Sequence, residues 1–110
     1  MSGRTHRTTA QPAETFVLEM DFYRRLARGE KISQANSIVK AYLYSSDSIG
    51  AEVPAVIVGT PTVSGTKLQQ KTTWQSGVVG GEYLISFRAK VGSGEFNNVY
   101  EDDILVTVTD

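Results

Sequence analysis

Residues 82–91 read Glu-Tyr-Leu-Ile-Ser-Phe-Arg-Ala-Lys-Val, and their polarity repeats every second position. Tyr83, Ile85, Phe87, Ala89 and Val91 share one parity, while Glu82, Ser86, Arg88 and Lys90 hold most of the other. Successive strand side chains point to opposite faces, so this pattern demands a strand with one dry face and one wet face. Gly80-Gly81 breaks the chain before the segment and Gly92-Ser93-Gly94 breaks it after. The stretch is expected to be a central strand against which the rest of the chain packs.

The remaining segments read the same way. Phe16, Leu18, Met20 and Phe22 alternate with Val17, Glu19 and Asp21, a strand with a strong inward face. Residues 23–28 favour a helical turn or a corner, stopped by Gly29. Residues 32–44 form a second strand, with Tyr42 and Tyr44 on its polar parity, and residues 45–50 form a loop. Residues 53–63 are apolar but interrupted by Pro54, Gly59 and Pro61, so they belong at an edge or a bulge. Residues 66–74 and 102–109 complete the set, with a Gly92-Ser93-Gly94 hairpin before the last strand. No long helix appears. The expected fold is all-β, an immunoglobulin-like antiparallel two-sheet sandwich of about six to eight short strands. Tyr83, just after a glycine turn at the head of a long strand, is placed like the tyrosine corner of such sandwiches.

One hundred and ten residues set the scale of one domain. Residues 1–14 are rich in Thr and polar residues and bury too little apolar area to order themselves, so they are expected to be a flexible arm. Residues 15–110 then form the sandwich. The net charge of −1 gives no global field for nucleic acid or an anionic membrane. With no cysteine, disulfides and thiolate chemistry are excluded. No apolar run approaches the ~20 residues of a membrane-spanning helix.

Catalytic chemistry finds little material. His6 is the only histidine and falls in the expected arm, so no zinc site and no Ser-His-Asp set is expected. Glu101-Asp102-Asp103 is the densest acidic cluster, but it lacks the spaced loop of a calcium site. Neither glycine-rich stretch opens a helix, so neither reads as a phosphate loop. We expect no enzyme, no metal and no cofactor. The candidate contact residues are instead Arg4, Arg7, Arg24, Arg25 and Arg28, with the aromatics Tyr42, Tyr44 and Trp74.

The order Asp21-Phe22-Tyr23, then Leu26-Ala27-Arg28-Gly29-Glu30-Lys31-Ile32, then Trp74, Gly77 and Gly80-Gly81-Glu82-Tyr83, resembles the small phage fibre-tail adaptor proteins. Their pattern runs through an aspartate-aromatic pair, a short corner and a glycine-glycine-to-tyrosine stretch. The resemblance implies an immunoglobulin-like tail or head–tail adaptor that joins other virion proteins, with no catalytic residues. It further implies a homo-oligomer within a virion assembled in the host bacterial cytoplasm, with neither nucleic acid nor membrane as partner. The alternative is an immunoglobulin-like module that holds a glycan or cell-surface receptor through Trp74 or the tyrosine pair. The basic first 31 residues and the acidic segment from Glu95 onward raise the further expectation of oppositely charged ends in head-to-tail contact.

Overall fold

The computed structural model describes residues 5–93 and 96–110. Nine strands fill the described residues: β1 (Thr5–Ala10), β2 (Thr15–Asp21), β3 (Lys31–Ile32), β4 (Ile38–Ser45), β5 (Ser48–Glu52), β6 (Ile57–Ser64), β7 (Lys67–Thr73), β8 (Glu82–Ser93) and β9 (Phe96–Val108). A single 3-10 turn, Pro54–Val56, precedes β6. The larger sheet runs β1-β9-β8-β4-β5, with β3 beside the far end of β8, and the smaller sheet runs β2-β7-β6. Packed face to face, the two make the expected all-β two-sheet sandwich, with nine strands among the described residues where about six to eight are expected.

The alternation in residues 82–91 does what its period requires. Tyr83, Ile85, Phe87, Ala89 and Val91 are all buried, each at most 4% exposed. β9 answers with Ile104, Val106 and Val108, in a register that sets Ile85 beside Ile104 and Tyr83 beside Val106. Leu18 and Met20 on β2 and Leu68 on β7 belong to the same cluster from the facing sheet. Burying each such side chain contributes about 1.5–3 kcal/mol, so the inward parity of β8 is a main source of cohesion.

The N-terminal segment departs from expectation. Residues 5–10 are no flexible arm: β1 pairs with β9 over six positions, from Thr5 beside Asp103 to Ala10 beside Val108. The pair is parallel, the one exception among the otherwise antiparallel strand pairs of the described residues. Composition correctly denies this segment a core of its own. It orders because a finished strand offers it a ladder, and because Thr-rich sequence suits a strand. His6 therefore sits in a strand, its Nε2 3.9 Å from Asp102 Oδ2.

Two further boundaries differ. Residues 32–44 divide into β3 and β4, separated by a turn in which Ser37 Oγ donates to the Ser33 carbonyl at 2.6 Å. The loop expected at 45–50 is a tight turn with Ser46 and Asp47 both at positive φ (49° and 62°), and β5 follows at once. Two successive left-handed residues match the twist of a hairpin. Residues 23–30 form a corner without a helix, and the expected hairpin glycine Gly94 lies outside the described residues.

β6 is the edge strand its prolines foretell. Its register with β7 breaks between Val58 and Thr62, and Gly59 there has φ 72°. Buried Gln70 on β7 fills the break, its Nε2 donating to the carbonyls of Val58 (3.0 Å) and Gly59 (3.2 Å).

Candidate interface surfaces

The residues joining β7 to β8 are built around two aromatic rings. Trp74 has no exposed surface; its Nε1 donates to Thr72 Oγ1 at 3.1 Å, and Thr72 Oγ1 donates to the Phe16 carbonyl at 3.0 Å. Trp74 thus belongs to the core and offers no surface for a contact, which corrects its place among the contact residues. A strand-end tryptophan that opposes Phe16 and Tyr83 has no route to the surface. Tyr83 forms the corner: its hydroxyl accepts the backbone N–H of Val78 at 3.3 Å. Two turns follow each other here, with Gly77 N–H donating to Trp74 O and Gly81 N–H to Val78 O. The loop is tied to the end of β9 by Gly80 N–H to Val108 O (2.7 Å) and Val108 N–H to Gly81 O (2.9 Å).

This tether holds Val78 and Val79 out into solvent, 66% and 55% exposed. Across the groove from Val78, near the end of β4, Leu43 is 46% exposed. An open groove of about 530 Å³ lies between residues 43–46 and the loop residues Val78, Gly80 and Gly81, closed by Glu82 and Tyr83. Sequence reasoning singled out none of the three aliphatics. A Val-Val pair set between glycines on a turn was the available signal, because such a position has no core to enter.

At the opposite pole, where β8 ends, the corner after β2 gathers the arginines. Arg25 is occupied by its own chain: its guanidinium donates to the Glu101 carbonyl at 2.7 Å and lies 5.1 Å from the centre of the Tyr100 ring. Glu30 secures the corner from within. Its carboxylate accepts from the Ala27 N–H, the Asn98 amide and the Tyr100 hydroxyl. The Ala27 N–H first, and then Asn98 and Tyr100, hold its pKa below the ordinary value. Arg24 and Arg28 are exposed and have no hydrogen-bond or ion-pair partner among the described residues.

The basic corner and the acidic C-terminal segment are neighbours, not opposite ends. Arg25 meets Glu101, and Arg88 Nε donates to Glu101 Oε1 at 2.8 Å. The expected charge dipole for head-to-tail contact is thereby spent inside the domain, because β9 runs back past the corner that follows β2. Strand alternation also separates the acids of 101–103, with Glu101 on Arg88 and Asp102 on the His6 side. Among the described residues, no group of three or more His, Asp or Glu side chains is arranged to hold a metal ion.

The outer face of the larger sheet carries Tyr42 and Tyr44, both half-buried. Tyr42 stands beside Leu84, which stands beside Leu105, which stands beside Arg7. Leu84 and Leu105 are buried on this outward side. Arg7 is exposed and 3.9 Å from Glu82, and the Tyr44 hydroxyl donates to Asp47 Oδ1 at 3.1 Å. Arg4 lies outside the described residues.

No protein-family model matches the chain, and no curated protein matches it.

Proposed function

We propose that the protein is a structural component of a phage or prophage virion, a tail or head–tail adaptor acting through protein–protein contacts. The observation that carries this reading is the exposed aliphatic group at one pole, where Leu43 on β4 and Val78 on the loop anchored to β9 line an open groove and Val79 stands exposed next to Val78. Exposed apolar residues gathered on a rigid rim favour burial against another protein. Its partners are other virion proteins and further copies of itself, joined in the host cytoplasm. The glycan- or receptor-binding alternative loses its main aromatic, since Trp74 is enclosed.

The test is density-gradient fractionation of an induced lysogen, probed with antibody to this chain. The protein is expected to co-sediment with intact particles, and V78D/V79D is expected to shift it to the soluble fractions. Wild-type protein that stays soluble while particles form normally overturns the proposal.

A further inference from the structure

We propose that the free edge of β2 pairs with β2 of a second copy, antiparallel about Leu18, joining two three-stranded sheets into one of six strands. This names an interface for the adaptor reading above and rests on it, although the two are tested separately.

A strand at a sheet edge presents a row of unpaired N–H and C=O groups, and monomeric proteins blunt such edges with prolines, bulges or charge. Apart from the two-residue β3, four strands of the described residues form outer edges, and three of them carry such a device. β6 has Pro61, Gly59 and a broken register. β5 has a register shift opposite Tyr42 and Tyr44. β1 carries His6 and Arg7. β2 has no proline, no glycine and no break in register: it pairs with β7 over seven unbroken positions, from Thr15 beside Thr73 to Asp21 beside Lys67.

Its two acids do not guard it either. Glu19 is drawn toward β7, accepting from the Gln69 amide at 2.7 Å with Lys67 Nζ at 3.4 Å. Asp21 accepts from the Thr66 hydroxyl at 2.8 Å. Next to Glu19 on the same face, Val17 stands 57% exposed. Because β1 has joined the other sheet, no strand of the described residues covers this side.

The sequence of β2 is self-complementary in one register. An axis through Leu18 is the only one that pairs all seven residues, and it sets Thr15 opposite Asp21, Phe16 opposite Met20 and Val17 opposite Glu19. Apolar residues meet on the inner face, and each acid faces an uncharged residue on the outer face. Moving the axis to Glu19 would place glutamate against glutamate, which is unfavourable.

The absence of native cysteine makes the register directly testable. Two variants of the full chain, Val17→Cys and Glu19→Cys, are mixed and oxidised mildly. Directly opposed residues have Cα atoms about 4.5–5.5 Å apart, within disulfide reach, whereas like positions lie about 7–8 Å apart on the diagonal. The mixed disulfide is expected to form in preference to either homodimer. In sedimentation equilibrium V17E, which opposes two pairs of acids, is expected to weaken self-association about fivefold. V17K, which opposes lysine to Glu19, is expected to match or exceed the wild type. Circular dichroism verifies that each variant is folded.

A wild-type chain that remains monomeric up to about 1 mM overturns the proposal and leaves the edge to a strand from another protein. Cross-linking with no preference for the mixed pair overturns the register. Particle association that persists without the cross-link removes only this inference. The mixed cross-link formed by a protein that never joins particles removes the adaptor reading and leaves the β2 pairing standing.

Discussion

Trp74 meets Tyr83 edge-on, the ring centroids 5.3 Å apart and the planes inclined at 68°. The pair lies where the smaller sheet hands the chain to the larger one, and it carries the loop that presents Val78 and Val79. Trp74→Ala is expected to destabilise the domain by about 3–5 kcal/mol, through lost burial and the cavity left behind. Tyr83→Phe keeps the ring and loses only the bond to Val78, at a cost of about 0.5–1.5 kcal/mol. Urea unfolding of both variants gives the two values. Amide exchange should show Val78 opening faster in Tyr83→Phe while the centre of β8 stays protected.

The same loop depends on backbone that side chains would obstruct. A Cβ at position 81 would lie 2.9 Å from the Val78 carbonyl oxygen, and Gly80 has φ 83°. Gly81→Ala forces backbone to move, and Gly80→Ala adds about 1–2 kcal/mol of left-handed strain. Both are expected to lower the melting temperature, with the shift for Gly80→Ala larger than that for alanine at exposed Gln75.

Gln70 closes the break in β6 with donors alone. Its Nε2 reaches three carbonyls, those of Val58, Gly59 and Lys71, while its Oε1 has no hydrogen-bond partner among the described residues. Replacing the amide by leucine strands those carbonyls and should cost about 1–3 kcal/mol. Gln70→Glu is expected to be worse, because it turns a buried carboxylate toward carbonyl oxygens. Denaturant midpoints should rank wild type above leucine and leucine above glutamate.

Acid and alkali should weaken the fold from opposite sides. Hydrogen bonds lower the carboxyl pKa values of three residues: Glu19 chiefly through Gln69, Asp21 chiefly through Thr66, and Glu30 chiefly through the Ala27 N–H. Groups depressed in the folded state stabilise it fully above the ordinary carboxylate range and lose that effect as pH falls through the folded values. Stability should therefore decline below about pH 4.5. Tyr100 is raised, mainly by its bond to Glu30, and Tyr44 mainly by desolvation. Their contribution is complete below about pH 10 and disappears as pH climbs through the raised values. Urea titrations across pH should show both limbs, and Glu30→Gln should flatten each of them.

Deleting residues 1–10 tests the parallel strand. The deletion removes a six-position ladder, buried Ala10 and the bond from Thr109 N–H to Ala10 O at 2.7 Å. With about 1 kcal/mol net for each ladder bond, less the ordering cost, the loss should be on the order of 2–4 kcal/mol. Amide exchange in β9 should rise with it. A truncated protein as stable as the full chain would restore the flexible arm.

What the sequence made legible was whatever one segment decides by itself. The parity of β8, the edge placement of β6 and the tyrosine at the head of β8 all follow from local residues, and all stand. β1 was invisible because its order is borrowed from β9, more than ninety residues away in sequence. The fate of Trp74 depended on how two sheets close around it, so its parity could not separate core from rim. The arginine corner was seen as a cluster, but nothing local showed that Arg25 would be absorbed by Glu101 and Tyr100. The aliphatic rim was missed because Val78 and Val79 look like core residues until the turns around them are drawn.

β1 and β9, the first and last strands of the described residues, lie side by side and run in the same direction. Tension applied between the two termini would draw β1 toward its N-terminal end and β9 toward its C-terminal end, along a common axis. All the bonds of that ladder would then be loaded together in shear, instead of being peeled one at a time from an end. The core strands behind them would be shielded until the ladder yields as a unit. A chain joined to its neighbours at both termini would thus meet a pull with its strongest geometry.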